Sequence, residues 1–361
     1  MSKIVIIGAG KTGRGFLARL CAESGMNVTF VDSNASLVEK LNAAGRFDIT
    51  YFGGGRENTV INGFEACTWE NADFTDAELV FVAVGGQNLA DVGAMLGKKL
   101  PAKTDCCVIA CENASSPAEK IVKAMGRSDV PVSEATVFCT TIENGGLDIA
   151  SENYPYLQCD RDRLKGHVPC VAAVKPVDNF ADFLTRKLYT YNAASCVISY
   201  LGALRGHSVY AEAANDPVVL RLLDKNYLEI NAAMCAEFGY APDDQAEFAL
   251  LSRAKFTSRE IKDTVERNAR DVARKLAPGE RIIGIMKLIG RHGGDPAIME
   301  MTAAAAILYT ADAKWEAYKA EHSAMEIITG FCGVDDPAQA DRILEYTRRL
   351  AGGTFEPMSK E

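Results

Sequence analysis

Residues 3–8 (KIVIIG) form an unbroken apolar run, the pattern of a strand buried on both faces of a parallel sheet. A glycine-rich turn follows, then a helical stretch from Gly15 to Glu23, and Asn27–Asp32 (NVTFVD) reads as a second strand. Short apolar runs recur at Leu79–Val84 (LVFVAV) and Cys107–Ala110 (CVIA), with helix-like segments between them. Strands alternating with helices predict a doubly wound parallel sheet. An irregular, β-rich stretch runs from about Thr136 to Val174, and after Pro176 the texture changes. From Asn179 onward helical periodicity dominates, with Ala-, Leu-, Ile- and Glu-rich segments and no convincing strand. The expected fold is therefore α/β: an N-terminal Rossmann domain over 1–178 and an all-helical domain over 179–361 that carries the substrate and catalytic groups.

The glycine turn is the first candidate for chemistry. Gly8-Ala9-Gly10-Lys11-Thr12-Gly13 fits GxGxxG, and Gly15 extends it. In this fingerprint the first glycine makes the tight turn, the second lets a pyrophosphate approach the backbone, and the third allows close helix–strand packing. The free N–H groups and positive dipole end of the following helix then hold the phosphates. Asp32 lies 19 residues past Gly13, at the end of the second strand, where an acid meets the ribose 2′-hydroxyl. A carboxylate there repels a 2′-phosphate, so the expected cofactor is NAD rather than NADP. FAD shares the fingerprint, and a glycine turn capping an ordinary βα unit is the bland alternative.

Composition narrows the rest. The 361 residues suit two domains, and 48% hydrophobic with 24% charged residues is the balance of a globular enzyme. A net charge of −9 argues against nucleic acid or an anionic membrane as partner. No apolar run approaches the ~20 residues that span a bilayer, and the chain opens directly into a strand. Eleven cysteines lie mostly inside apolar runs without CxxC spacing, and the four histidines are scattered. That pattern predicts reduced thiols in a cytoplasmic protein, with no metal site.

Hydride transfer from an alcohol needs a proton acceptor and donors for the developing oxyanion. None of the 12 tyrosines has a lysine four residues on, and no zinc-ligand pattern is evident. A histidine–aspartate pair stays open. So does a lysine base: Lys187 sits in RKLYTYNAASCVISYLG, an otherwise apolar helical stretch. At 100° per residue Asn192 and Ser195 project within a ~140° arc of Lys187, so one helix side can offer an amine, a carboxamide and a hydroxyl. A desolvated lysine can act as a base near neutrality; a lysine snorkelling to solvent from a core helix fits the same residues.

RKLYTYN followed by SYLG resembles the signature of the polyol-specific long-chain dehydrogenases. The likeness extends to GAGKTGRGF at 8–16, VTFVDSN at 28–34, AVG at 83–85, ACEN at 110–113 and LSRAKFTSREIKDTVERNARDVARKL at 251–276. The resemblance implies NAD-linked interconversion of mannitol 1-phosphate and fructose 6-phosphate by a monomer. It gives Lys187 the general-base role and makes Asn192 and Asn113 the groups that polarise the reacting oxygen. Two departures put the substrate in question. Ser195 stands where the family motif carries histidine, and Cys139-Thr140-Thr141-Ile142 stands where it carries Val-Asp-Arg-Ile. The same chemistry on a free polyol or a keto-uronate, or an inactive nucleotide sensor, are the alternatives.

Residues 253–275 hold eight bases against four acids. Arginine forks suit a phosphate or carboxylate, and Arg253, Lys262 and Arg270 are the candidates by family position. A solvated helical face, with i,i+4 pairs such as Lys262–Glu266 and Glu266–Arg270, is the bland reading. His207 reads as a satisfied helix-end histidine.

Overall fold

A computed structural model describes residues 3–53, 56–114 and 116–358. The chain divides into two compact units, Met1–Ala181 and Asp182–Glu361, against the expected boundary after 178.

Among its described residues the first unit carries twelve strands: β1 (Lys3–Ile7), β2 (Val28–Val31), β3 (Arg46–Tyr51), β4 (Thr59–Asn62), β5 (Glu65–Cys67), β6 (Ala77–Val82), β7 (Cys107–Ala110), β8 (Val132–Thr136), β9 (Thr141–Glu143), β10 (Ile149–Ser151), β11 (Leu157–Asp160) and β12 (Val174–Val177). Eight of them form one sheet in the order β12-β11-β8-β7-β6-β1-β2-β5. The six from β5 to β8 are parallel, and β11 pairs antiparallel with β8. Alternation along β1 explains its unbroken apolar run. Ile4 and Ile6 enter one core layer, Val5 and Ile7 the other, so the strand is buried on both faces. The strand order reverses between β1 and β6, and at such a switch point the strand ends leave a crevice for a ligand.

A second sheet, β4-β3-β10-β9, was not expected. Between the second strand and Leu79 the sequence suggested helix-like segments; among the described residues the structure has α-helix Ala35–Ala44, then β3, β4 and β5, and a single 3-10 turn at Trp69–Asn71. The signal was present in RFDITY: Phe47, Ile49 and Tyr51 are buried while Arg46 is exposed, a period of two.

Among its described residues the second unit is helical, with a single bridge between Val209 and Thr264. Helix Ala297–Leu308 runs through the core, every residue up to Ile307 buried. The one acid within it, Glu300, is compensated by Arg342, at 2.7 and 3.1 Å, and by Gln339 at 3.0 Å. A buried carboxylate without such partners is strongly unfavourable. Helix Pro217–Phe238 starts at Asp216, whose side chain accepts from Val218 and Val219 N–H, and ends at Gly239 in the left-handed region.

Segment 253–275 is not the single helical face expected. Helix Pro242–Thr257 ends, and two short helices follow, Val265–Ala269 and Val272–Leu276. Arg270 and Asp271, with φ +64° at Asp271, separate the two. Lys262 lies outside any helix, so the anticipated Lys262–Glu266 pairing has no helical geometry to support it. The turn between the short helices instead gathers side chains from both towards one place.

Candidate active site

In the first unit a cavity of about 560 Å³ opens at the carboxyl ends of β1, β2 and β6. Gly8, Gly10, Asp32 and Ser33 line it, with Ala83, Val84, Trp69, Glu70, Asn88 and Asp91. The glycines divide the work as the fingerprint requires. Gly8 has φ +100°, and a Cβ there would run into the carbonyl oxygen of Ala83. A Cβ on Gly13 would strike the carbonyl of Gly8, whereas one on Gly10 would meet nothing within 4 Å. Gly10 therefore faces open space at the point where a pyrophosphate comes closest to the backbone. Asp32 Oδ2 accepts the Ala9 N–H at 2.7 Å, and Oδ1 accepts that of Asn34 at 2.8 Å. Both bonds hold the carboxylate at the cavity wall and leave lone pairs for a diol. The chain therefore fits a dinucleotide.

Sequence reasoning passed over Arg14, which is 1% exposed. Its Nε donates to the Ala9 carbonyl at 2.7 Å, Nη1 to Leu147 O at 2.6 Å, and Nη2 pairs with Glu143 at 3.0 Å. The glycine turn is thereby tied to the β9–β10 hairpin. Burial lowers the Arg14 pKa, opposed by the charges of Glu143 and Asp32. Thr141, one of the departures, begins β9 and lies against Gly15. Asn113 follows β7; its amide donates to Val137 O at 3.1 Å and accepts the Val137 N–H at 3.3 Å. That side chain braces the backbone beyond β8.

The run 180–204, in the second unit from Asp182 onward, is one helix with two wide turns, Leu188–Asn192 and Val197–Leu201. The Ala193 N–H bonds back five residues to Leu188 O. A wide turn has more residues per turn than an α-helix, so the uniform 100° spacing does not hold between Lys187 and Asn192. Burial first, then the positive charges of Lys255 and Arg281, push the Lys187 pKa down to about 7.

Asn192 and Ser195 line a second cavity, of about 190 Å³, wholly within this unit. Its other walls are Cys196, Arg267, Asn268, Arg270, Arg274, Lys275 and Arg281. Five cations and no acid face it. Three of the arginines have carboxylate partners: Arg267 with Asp263, Arg274 with Asp271, and Arg281 with Glu280. Lys275 is 5% exposed and donates to the Asn268 carbonyl. Burial lowers its pKa to about 8.

Of the three basic residues expected near the substrate, the structure brings only Arg270 to this cavity. Arg253 instead pairs with Asp224 through two bonds, of 2.6 and 3.0 Å, and Lys262 is exposed and not part of the walls. Arg267, Arg274 and Lys275 were visible as charge in the sequence but not as a group. Arg281 lies beyond that basic segment, and no local signal could have selected it. His207 pairs with Asp216 at 2.9 Å, as a satisfied helix-end side chain does.

Residues 2–142 match the mannitol dehydrogenase Rossmann domain, and residues 179–326 the mannitol dehydrogenase C-terminal domain. The chain belongs to the mannitol dehydrogenase family. It is thus an oxidoreductase of the polyol dehydrogenases with an NAD-binding Rossmann domain, as the resemblance implied. Solved structures agree on the fold. Pseudomonas fluorescens mannitol 2-dehydrogenase, in a ternary complex with NAD and D-mannitol, matches with a TM-score of 0.69 at 14% identity, covering 98% of this chain and 92% of that one. A substrate-free D-sorbitol dehydrogenase matches with a TM-score of 0.78 at 14% identity, covering 98% and 93%. All eleven cysteines are free. Among the described residues no cluster has metal-binding composition, and no helix is long and apolar enough to cross a membrane.

Proposed function

We propose that the chain interconverts a polyol phosphate and a ketose phosphate, of the mannitol 1-phosphate and fructose 6-phosphate type, with Lys187 as general base. One observation carries this reading. On the helix that bears Lys187, Asn192 and Ser195 open into a cavity with five cations and no acid in its walls. Among the described residues Arg270 and Lys275 have no carboxylate partner, and a neutral polyol gives their charges nothing to neutralise. A dianionic terminus does, and arginine forks suit phosphate oxygens.

NAD, which Gly8, Gly10, Gly13 and Asp32 would hold, would supply the hydride acceptor for the carbinol carbon. Lys187, its amine neutral in part at pH 7, takes the hydroxyl proton in the oxidative direction and returns it to the oxygen in reduction. The Asn192 amide donates to the same oxygen as charge develops on it, and Asn113 belongs to the proposed site by resemblance. Arg270, Arg274, Lys275 and Arg281 hold the phosphate, which fixes the chain of carbons along the cavity.

A screen of NADH oxidation over fructose 6-phosphate, free fructose and keto-uronates tests this reading. We expect turnover of fructose 6-phosphate at the lowest KM. Activity confined to unphosphorylated ketoses overturns the phosphate assignment. A preference for keto-uronates shows that the same cations serve a carboxylate, a reading that the short Ser195 side chain also accommodates.

A further inference from the structure

The wall of the basic cavity contains a hydroxyl whose hydrogen-bonding role is already half decided. Ser195 is half-buried on the helix 180–204 and lines the cavity. The Tyr210 hydroxyl donates to Ser195 Oγ at 3.0 Å. Tyr210 is 5% exposed, and its ring packs edge-on against Phe256 at 5.7 Å between centroids. Burial holds its phenol well above the usual pKa, so it stays a proton donor.

A serine hydroxyl has one proton and two lone pairs. In a helix that proton ordinarily returns to the carbonyl four residues back, as Ser199 does here towards Ser195 O at 2.7 Å. Ser195 makes no such bond. Among the described residues its one side-chain partner is Tyr210, which occupies a lone pair and leaves the proton unplaced. The cavity beside it is lined by cations and amides and supplies no carboxylate to take that proton.

We propose that Tyr210 is a positioning residue that fixes Ser195 as a donor to a substrate oxygen in the basic cavity. The pair acts as a two-bond relay: Tyr210 O–H to Ser195 Oγ, then Ser195 O–H to a ketose or phosphate oxygen. Asn268 complements it. One N–H of its amide donates to Thr264 O at 3.0 Å, which fixes the orientation of the group, and its oxygen can accept a substrate hydroxyl. The cavity thus distinguishes an acceptor at Ser195 from a hydroxyl donor at Asn268, which makes the pair specificity-determining. The inference rests on the reading of the cavity as the substrate site.

A double-mutant cycle tests it, read both as KM for fructose 6-phosphate in NADH oxidation and as calorimetric Kd for the same compound. Tyr210→Phe and Ser195→Ala each raise both constants about tenfold, the value of one hydrogen bond of ~1.4 kcal/mol. The double variant loses no more than either single one, because the two bonds act in series. Ser195→Thr keeps the hydroxyl and with it the dependence on Tyr210. An unchanged Tm and far-UV circular dichroism spectrum report that the second unit is folded in each variant, and an unchanged Kd for NADH, read by its fluorescence, that the nucleotide site of the first unit is unaffected. Penalties that multiply to about a hundredfold reduce Tyr210 to a packing residue and overturn the relay, as does a Tyr210→Phe enzyme with unaltered KM and Kd. If the wild type neither binds nor turns over any ketose phosphate, the reading of the cavity falls and the relay falls with it.

Discussion

The backbone N–H of Ala9 donates to Asp32 Oδ2 at 2.7 Å, which joins the glycine turn after β1 to the acid at the end of β2. The acid therefore does two things: it shapes the turn and presents a negative charge to the ribose. Replacement by serine removes the charge and a charge-assisted bond of ~1.5–3 kcal/mol. We expect Asp32→Ser to weaken NADH binding about tenfold or more and to narrow the preference over NADPH. Glu70 and Asp91 line the same cavity and keep it acidic, so the preference narrows without inverting. Fluorescence titration with both nucleotides measures this; a preference identical to that of the wild type removes Asp32 from cofactor selection.

Lys187→Ala tests the base directly. Loss of a general base costs ~10²–10⁴ in rate, while NADH affinity should stay within a factor of about two, because the glycine turn is intact. The pH profile of the wild type supplies the sign. With a pKa pushed down to about 7, the amine is neutral above pH 7 and charged below it. Polyol oxidation needs the neutral form and should rise through pH 7 to a plateau; ketose reduction needs the ammonium and should fall over the same interval. Retained turnover in the alanine variant, or a rate in both directions indifferent to pH from 6 to 8, sinks the assignment.

The same shift has a consequence for stability. An ordinary lysine titrates near 10.5, so between pH 7 and 10.5 the unfolded chain holds a proton at this position that the folded chain has released. Stability rises with pH wherever the unfolded state binds more protons. The cost of keeping Lys187 buried is therefore complete below pH 7 and relieved progressively up to about 10.5. Lys187→Met removes that cost while retaining the volume. Its Tm should exceed that of the wild type, with the larger gap at pH 6 than at pH 9. A gap independent of pH means that the amine is solvated in the folded protein.

Much of this was legible in the sequence where chemistry is local. The fingerprint at Gly8, Gly10 and Gly13 and its answering acid Asp32 sit within 25 consecutive residues, and each position has a backbone reason to be what it is. Lys187 and Asn192 were legible as neighbours on one helix. The wide turn between them at Leu188–Asn192 was not, because it is a departure from regular helical spacing that apolar periodicity does not report. The second sheet escaped because β3 and β4 fall where helix-like segments were expected, and because β10, three residues long, finds its partner β3 about a hundred residues away. The basic cavity escaped for a related reason. Its walls depend on the chain breaking at Arg270 and Asp271, where no glycine or proline announces a turn, and on Arg281 returning from outside the segment.

That break decides which arginines matter for substrate binding, and the structure separates two candidates that charge alone treats alike. Arg270 lines the cavity, whereas the Arg253 guanidinium is occupied by Asp224 through bonds of 2.6 and 3.0 Å. The Arg253 and Asp224 side chains are 35% and 46% exposed, so their pair contributes ~0.2–1 kcal/mol to stability. Arg253→Ala should therefore lower the Tm by a few degrees at most and leave the KM for fructose 6-phosphate within a factor of about two. Arg270→Ala should leave the Tm nearly unchanged and raise that KM about tenfold or more, as loss of a charge-assisted bond to a phosphate oxygen requires. The penalty should shrink for free fructose, which carries no charge for Arg270 to meet. Equal effects of the two substitutions on KM, or an Arg270 effect as large on free fructose as on its phosphate, would falsify the placement of the anion in this cavity.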